Sequence, residues 1–491
     1  MKIKGFELDE KRFVKIIIIS FIFIFMLSFS WQLSKLYFDI ITVFSAVGIM
    51  SMPLFTLAGL MIFPLVLFMQ SLLPSGIGYI PISLSTLYDF VALAGLLFFI
   101  FKYKKESKLN VNDIWVLSFF VLLNLLMIYH GVNISFSNYW YILSLEAIFI
   151  YFVVSKAVDS PKRMGVFCWG LILIVMSIIF RYTFYAKEFQ ESIIGGSFDN
   201  NMFSRDLVFI IPLMIYLLWS EKNKWLKGIL LVSLALSIQN FAVMGSRASW
   251  ISLIPVLLFI GIKNIRKKST LGFGVLAILF IIYYVISSPQ IVNEIFSIQN
   301  VEGGESAEES SIQGRFQALD AGLILFKEKP LLGWGPSRHE TVVATKLEEL
   351  GMTGRNTHNA HLEVMLSMGL FGILIYIMLF VYSAINAYKA QKLAKGKDEL
   401  IYNISWGVIF GLIALCINQA MINRSYTAIV WIGFGLSTAL YHIAKNLPTK
   451  EIKDEKEMEL LQPEKELFKT WKKERDNKPK AKYMDQKKSN S

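Results

Sequence analysis

Long apolar runs, repeated along most of the chain, constrain its fold more than any other feature of the sequence. A run of about 20 apolar residues is long enough to cross the hydrocarbon core of a membrane. Inside that core the backbone must satisfy its own hydrogen bonds, and continuous runs such as IIIISFIFIF fit helices rather than the alternating strands of a membrane barrel. The sequence therefore predicts an all-α fold, a polytopic membrane helix bundle of about 12–14 transmembrane helices. The runs lie near 13–29, 37–55, 58–73, 81–101, 113–131, 139–157, 165–182, 203–219, 225–243, 249–264, 270–288, 362–386, 401–420 and 427–444.

Composition favours a membrane protein and argues against a nucleic-acid partner. Hydrophobic residues make up 55% of the chain and charged residues only 18%, whereas charged residues average about 25% in soluble domains. The net charge of +12 comes from short clusters between apolar runs and from the C-terminal tail. Cytoplasmic loops of membrane proteins carry such lysines and arginines, and no basic groove interleaved with aromatic residues accompanies them. Cys168 and Cys416 both lie inside apolar runs, so no disulfide is expected.

Segments rich in lysine and arginine occupy alternate connections between the apolar runs. The clusters KYKKESK (102–108), SEKNKWLK (220–227) and KAQKLAKGK (389–397) belong on the cytoplasmic side by the positive-inside rule. The intervening connections PSGIGYI and GVNISFSN carry no basic residue. The N-terminal apolar stretch lacks a small-residue cleavage site, and we interpret it as an uncleaved first span. The pattern predicts that both termini are cytoplasmic.

The spacing of the runs divides the chain into four regions. These are an N-terminal transmembrane bundle of helices 1–11 (residues 1–288), one large extracytoplasmic loop (289–361), C-terminal transmembrane helices (362–445) and a charged cytoplasmic tail (446–491). The other connections are short, so the large loop is the natural place for a site at the outer surface.

The large loop changes character along its length. Its Gly-, Glu- and Ser-rich piece NVEGGESAEESSIQG (300–314) is typical of a flexible segment. Phe316, Leu319, Leu323 and Leu325 then predict a short amphipathic helix that lies on the bundle or at the membrane interface. The sequence KPLLGWGP that follows predicts a turn.

Arg247, in MGSRASWISL, is predicted at the extracytoplasmic N-terminus of a membrane helix with Ser246 as its N-cap. Free backbone N–H groups at a helix N-terminus attract anions, and a guanidinium adds a fork of donors that matches phosphate oxygens. The arrangement predicts a phosphate or diphosphate site. The alternative is an arginine that reaches to lipid headgroups, although the positive-inside rule disfavours an idle arginine on that side. Arg315, at the start of the predicted loop helix, is by itself typical of a solvated side chain.

Two of the five histidines, His358 and His361, lie in RNTHNAHLE just before an apolar run. An imidazole can take or give a proton near neutral pH, so His358 is a candidate base; a satisfied surface histidine is the commoner case. The pair with Glu363 shows no H-x-x-x-H spacing and no clear third ligand, so no metal is expected.

Taken together, these fragments resemble the O-antigen ligase and polysaccharide polymerase family of bacterial envelope glycan assembly. The matching pieces are SRASW after a membrane helix, GRFQAL…KEKPLLGWGPS in the large loop, HN followed by Gly369 and then Gly372, and SFDNNMFSRDLVFIIPL. The resemblance covers roughly residues 195–385. It implies that His358 is catalytic and that Arg247 and Arg315 bind the diphosphate of a lipid-linked donor. It also implies supporting roles for Ser246, Asn359 and Asn201, whereas His361 matches no position of the family.

The resemblance implies a membrane glycosyltransferase of the bacterial plasma membrane that polymerises or ligates polysaccharide on the extracytoplasmic face. The implied partners are an undecaprenyl-diphosphate-linked glycan donor, a glycan, lipid or wall acceptor, and membrane lipids. No cofactor is expected, because no D-x-D pair is present, and transfer is expected to invert the anomeric carbon. Polymerase and ligase share donor handling and stay open. The alternative is a transporter or lipid-linked glycan flippase, which predicts charges within the spans; Asp89 and Glu146 are the mid-span acids that the sequence offers.

Overall fold

A computed structural model of the protein describes residues 14–15, 17–22, 109–132, 139–192, 200–243, 247–264, 307–336, 338–352, 358–422 and 425–448. These residues form helices, turns and short connections, with no strand among them, which confirms the predicted all-α class. Residues 14–15 and 17–22 are helical. The longer helices are α1 (Val111–Tyr129), α2 (Tyr139–Ala157), α3 (Pro161–Ser192), α4 (Asn200–Ser220), α5 (Lys224–Val243), α6 (Arg247–Lys263), α7 (Ala307–Glu328), α8 (His339–Glu349), α9 (Ala360–Ala394), α10 (Glu399–Gln419) and α11 (Ala428–Lys445).

Nine of the predicted spans fall within the described residues, and each of them is a helix. Six described helices are long and apolar enough to cross a membrane, namely α1, α3, α4, α9, α10 and α11, and α6 is a shorter apolar helix. The chain is therefore a polytopic membrane protein. The predicted spans near 13–29, 37–55, 58–73, 81–101 and 270–288 lie wholly or mainly outside the described residues, so the number of 12–14 helices stays a prediction.

Helix α10 packs against α4, α6, α9 and α11. Its glycines permit this close approach: a Cβ added at Gly411 would lie 2.6 Å from the ring of Phe209 in α4, and one at Gly407 would lie 3.0 Å from the Cα of Leu213. Small residues at such interfaces let helix backbones come close, which is how helices associate where the surrounding lipid is as apolar as their side chains. The middle of α10 is thereby packed closely against α4.

A buried polar network joins α1, α2, α9 and α11 at one end of the bundle. The Asp113 carboxylate, fully buried, lies 2.6 Å from Lys156 Nζ and accepts a hydrogen bond of 2.8 Å from the Tyr151 hydroxyl. The neighbouring Asn112 donates to the hydroxyl of Ser383 at 2.8 Å. These bonds satisfy polar groups that would otherwise be costly to bury. We refer to this end as the Asp113 end.

Helices α7 and α8 form a small apolar cluster with the first turns of α9. The contact is close because α7 presents small residues: a Cβ added at Gly322 would lie 2.7 Å from the side chain of Leu362. The buried members of the cluster are Ala318, Ala321, Leu325, Val343, Leu347, Leu362 and Leu366.

Two expectations for the loop were wrong in detail. The Gly-, Glu- and Ser-rich piece was expected to be flexible, but it is helical from Ala307 onward, because alanine, glutamate and glutamine favour helix and acidic residues suit a helix N-terminus. The buried face of α7 consists of small residues with Leu325, whereas Phe316 and Leu323 are 65% and 42% exposed. The large apolar side chains are left on the outer side because small ones allow α7 to approach α9.

Candidate functional site

His358 has an unusual backbone conformation. Its φ is +42°, and it is the sole non-glycine residue with positive φ among the described residues. Such a conformation costs of the order of 1–3 kcal/mol and persists where surrounding contacts enforce it, typically at functional sites. The next residue, Asn359, is the N-cap of α9, and its side-chain oxygen accepts from the Leu362 N–H at 3.0 Å. Asn359 therefore has a local structural role beside His358.

Gly369 breaks α9 into two parts that fold back on each other. Its φ is +66° and its ψ −160°, both outside the helical range. On a straight helix, residues 361 and 376 would lie about 22 Å apart along the axis. Instead, the ring centroid of His361 lies 5.8 Å from that of Tyr376 and 6.3 Å from that of Phe380. The segment 360–368, which we call the site helix, is thus a separate short helix beside the long second part of α9.

The turn at residues 330–335 passes over the break at Gly369, and the two backbones are in direct contact. The Trp334 N–H donates to the Leu366 carbonyl at 2.7 Å, and the Leu370 N–H donates to the Pro330 carbonyl at 2.8 Å. A Cβ at Gly369 or Gly333 would collide with backbone atoms of the other segment. The predicted GWGP turn therefore holds the site helix in its folded-back position.

Two histidines flank this crossing. His339, at the start of α8, is buried and shares a hydrogen bond of 3.0 Å with the Ser367 hydroxyl. Burial lowers the pKa of His339 to about 4, so the imidazole is neutral at physiological pH. His130, just after α1, packs against Gly335. Burial lowers the pKa of His130, against the opposing effect of a hydrogen bond with the Leu332 backbone.

The site helix is also tied to the C-terminal end of α10 and the connection that follows. The Ala360 N–H donates to the Ile422 carbonyl at 3.0 Å, and His361 Nε2 donates to the Cys416 carbonyl at 3.0 Å. The Ser425 hydroxyl donates to the buried Glu363 carboxylate at 2.9 Å. The residues that follow His358 are thus fixed to a part of the chain more than fifty residues away.

Arg315 lies on the face of α7 that packs against the site helix. Residues 315, 318, 322 and 325 recur at helical spacing, and 318, 322 and 325 pack on or beside Leu362 and Leu366. The Trp334 indole N–H donates to the Leu325 carbonyl at 2.9 Å, and both residues lie beside Leu366. Gly322, three residues before Leu325, lies beside Leu362. The two helices therefore run in the same direction here. Arg315 precedes Gly322 in α7, just as His358 precedes Leu362 at the start of the site helix. Arg315 and His358 therefore lie toward the same end of this pair of helices.

Helix α6 begins at Arg247, as predicted. Ser246, its predicted N-cap, lies outside the described residues, and for Arg247 the structure describes the backbone alone. The first turns of α6 lie beside the end of α10, because Asn418 donates to the hydroxyls of Ser249 at 3.2 Å and Ser252 at 3.1 Å. The backbone at Arg247 is therefore at the same end of the bundle as the site helix, which we call the His358 end.

Asn201 lies in the first turn of α4, and its side chain is not among those described. Two nearby charged residues were missed by the sequence analysis. Arg205 is 4% exposed and pairs with Asp206 at 3.3 Å, while its Nη1 has no hydrogen-bond partner among the described residues. The sequence indicates these two residues through the segment SRD (204–206), which places two charges inside a predicted span. Buried charges in a membrane protein mark functional positions.

A buried polar cluster lies beneath the site helix. Glu363, Tyr376 and Tyr426 are all buried there, and the rings of the two tyrosines each lie 6.0 Å from the ring of Phe119. Burial, followed by the Glu363 charge, raises the pKa of Tyr426 far above its usual range, so this phenol stays protonated. Of the mid-span acids named from the sequence, Asp89 lies outside the described residues and the Glu146 side chain is not described. The acids that the structure identifies at this end are Glu363, which is buried, and Asp206, which pairs with Arg205.

Both ring nitrogens of His361 face the interior of the protein. Its Nε2 is used by the Cys416 carbonyl, and its Nδ1 is buried without a hydrogen-bond partner in the described part of the chain. The described residues contain no group of three or more histidine, cysteine, aspartate or glutamate side chains that could hold a metal. Cys168 and Cys416 are free thiols, as expected.

Comparison with known proteins gives two findings. Residues 232–377 match a family model described as O-antigen ligase. The O-antigen ligase of Pseudomonas aeruginosa is 21% identical over 292 residues, which are 58% of this chain and 66% of that protein. The chain thus spans slightly less than two thirds of that relative. The matched segment contains Arg247, Arg315 and His358, and both findings confirm the resemblance that the motifs predicted.

Proposed function

Because the chain resembles the O-antigen ligase family over the segment that carries Arg247, Arg315 and His358, we propose that it is a membrane glycosyltransferase that ligates or polymerises polysaccharide. Its donor is a glycan carried on undecaprenyl diphosphate, and its acceptor is a glycan, a lipid or a wall anchor. The reaction takes place on the extracytoplasmic face of the bacterial plasma membrane, and both termini are cytoplasmic. Transfer is inverting and needs no metal.

The observation that carries this proposal is the enforced left-handed conformation of His358. Hydrogen bonds on both sides of the site helix hold the residues that follow His358. Elements that begin at Arg247 and contain Arg315 lie at the same end of the bundle. A strained residue that is fixed by its surroundings is typical of a catalytic position.

The chemistry follows from the donor. An acceptor hydroxyl attacks the anomeric carbon, the bond between that carbon and the phosphate oxygen breaks, and the hydroxyl proton passes to the His358 imidazole. The diphosphate leaves as an anion and needs charge stabilisation rather than protonation. The guanidinium groups of Arg247 and Arg315 and the N-terminus of α6 supply that stabilisation, which is a large contribution in a site of low dielectric. Single displacement inverts the configuration.

The decisive test replaces His358 by asparagine and by alanine. Asparagine tolerates a left-handed backbone, so His358→Asn removes the imidazole with little change in chain conformation. We expect transfer to fall by about 100-fold or more, with normal insertion in the membrane and normal thermal stability in detergent. His442→Ala, a half-buried histidine in α11 near the Asp113 end, is the matched control and keeps transfer.

The product of a deletion strain separates the two roles that stay open. Loss of the ladder of chain lengths indicates a polymerase, and accumulation of long lipid-linked chains without attachment indicates a ligase. Wild-type transfer by His358→Asn would remove the imidazole from the mechanism. Purified wild-type protein that transfers no glycan would favour the transporter or flippase alternative.

A further inference from the structure

His361 and Glu363 have no role in the chemistry above, although both are fixed by hydrogen bonds next to His358. We infer that His361 and Glu363 are positioning residues that hold His358 in its left-handed conformation by fastening the site helix to the end of α10. This inference rests on the proposed function, since it assigns the two residues to the reaction of His358.

The first support is the identity of the group that His361 binds. The last four carbonyls of a helix lack partners within the helix. At the end of α10 the Ala420 N–H bonds the carbonyls of Ile417 and Asn418 and leaves that of Cys416. His361 Nε2 donates to it at 3.0 Å. A carbonyl only accepts, so the proton lies on Nε2, and His361 caps α10 rather than acting as a base through this nitrogen.

The second support is that Glu363 is fastened to the other side of the same connection. Its carboxylate accepts from the Ser425 hydroxyl at 2.9 Å. The Ser425 carbonyl in turn accepts from Trp431 Nε1 at 3.2 Å, and Trp431 packs on the ring of Phe119 at 5.7 Å. Glu363 is therefore bonded to a rigid part of the bundle, not to a mobile loop.

The third support is the position of these bonds relative to the strained residue. With the Ala360 N–H on the Ile422 carbonyl, three bonds from residues 360–363 reach residues 416–425. They begin two residues after His358 and fix the start of the site helix in position and direction. On its other side the site helix is held by the turn at 330–335. The left-handed backbone at His358 directly precedes this fixed helix.

The test compares conservative and non-conservative changes at each position. His361→Gln keeps a side-chain N–H that can reach the Cys416 carbonyl, whereas His361→Leu fills the space without a donor. Glu363→Gln keeps an acceptor for Ser425, whereas Glu363→Leu does not. Kinetics are measured on purified full-length protein in detergent, with the lipid-linked glycan extracted from cells that lack this chain as the donor.

We expect His361→Leu and Glu363→Leu to lower kcat by about 10- to 100-fold, because a displacement of about 1 Å at a reacting group can cost that much. KM for the donor should change less than threefold, and the inflections of the pH–rate profile should stay where they are. His361→Gln and Glu363→Gln should recover most of kcat. Asn403→Leu, which removes another buried donor to a backbone carbonyl, is the matched control and keeps kcat per folded molecule.

The outcomes separate this inference from the proposed function. If His361→Gln fails as badly as His361→Leu, or shifts the pH–rate profile, then His361 acts by titration and the positioning role is overturned. If the leucine variants lose folded protein but keep kcat per folded molecule, the bonds are purely structural and the inference is likewise overturned. Full transfer by His358→Asn contradicts the catalytic role of His358, and no transfer by the purified wild-type protein contradicts the proposed function itself.

Discussion

A left-handed histidine is uncommon, since the Cβ of an L-residue crowds the backbone in that region. Here the strain at His358 is offset by hydrogen bonds from the residues that follow it. The arrangement places an imidazole at the junction of a loop and a fixed helix. The residue itself was predicted from the HN motif, but its conformation was not, because the bonds that enforce it join residues about sixty positions apart.

At Arg315 the planar guanidinium, not merely its charge, is expected to matter. Arg315→Lys keeps the charge, but an ammonium cannot donate a parallel pair of bonds to phosphate. We expect kcat/KM for the lipid-linked donor to fall about tenfold or more, with unchanged thermal stability. Lys327→Ala, at the far end of α7, should leave the rate unchanged; equal rates for Arg315→Lys and wild type would make Arg315 a simple surface charge.

Gly369 offers a test of the backbone crossing. Gly369→Ala adds a Cβ at φ +66° that collides with the Leu331 backbone, whereas Gly351→Ala adds one at the same φ in open space. We expect Gly351→Ala to lower the free energy of unfolding by about 1 kcal/mol and Gly369→Ala by at least about 2 kcal/mol more. Thermal unfolding in detergent measures both, and equal losses would show that the crossing contributes nothing.

At the scale of elements, the folded-back site helix shows what apolar patterning can and cannot predict. The runs near 401–420 and 427–444 predicted α10 and α11 to within two residues of their ends, because the length of an apolar run sets the length of a span. The run near 362–386 predicted the start of α9 equally well, but α9 continues for eight residues beyond it, to Ala394. The break at Gly369 was not predicted. Its cause is the turn at 330–335, and hydropathy carries no information about a backbone crossing between segments so far apart.

The link between α8 and α9 should make stability depend on pH through His339. The pKa of this imidazole is about 4 in the folded protein and ordinarily 6.5, so the unfolded chain binds the proton more readily. The contribution of neutral His339 to the free energy of unfolding is complete above about pH 6.5 and is lost as the pH falls toward 4. The loss amounts to about 3 kcal/mol at most. His339→Gln, which does not titrate, should show a weaker fall in Tm between pH 7 and pH 4.5. Parallel curves for the two proteins would contradict this.

At the scale of the whole molecule, the described bundle has a polar network at each end, and the two networks have different roles. The Asp113 end carries the ion pair between Asp113 and Lys156. It lies at the opposite end of α1 and of the second part of α9 from the site helix. Charges within spans are expected of a transporter, and Asp89 and Glu146 are the mid-span acids that the sequence offers. The described buried charges instead form bonds within the protein. The pairing of Asp113 with Lys156 could not be predicted, because the two residues lie on different helices.

Asp113→Asn should destabilise the protein without altering its chemistry. It leaves the buried Lys156 ammonium without its carboxylate, which costs about 3–5 kcal/mol, and Asp113→Asn with Lys156→Met should recover much of the loss. Asp159→Asn, which breaks a partly exposed pair with Arg163 at 2.8 Å, should cost less than about 1 kcal/mol. Tm reports stability, and transfer per folded molecule should equal that of wild type; a fall in that rate would mean that the two ends are coupled.

The fastening of the site helix to residues 416–425 also bears on how the protein is made. A ribosome that has synthesised α9 has already delivered His358, yet every partner that fixes it from the α10 side is still to be translated. The imidazole therefore gains its working geometry late, after α10 has been inserted and its following connection has emerged. A nascent chain arrested earlier carries His358 without the bonds that fix the site helix from the α10 side.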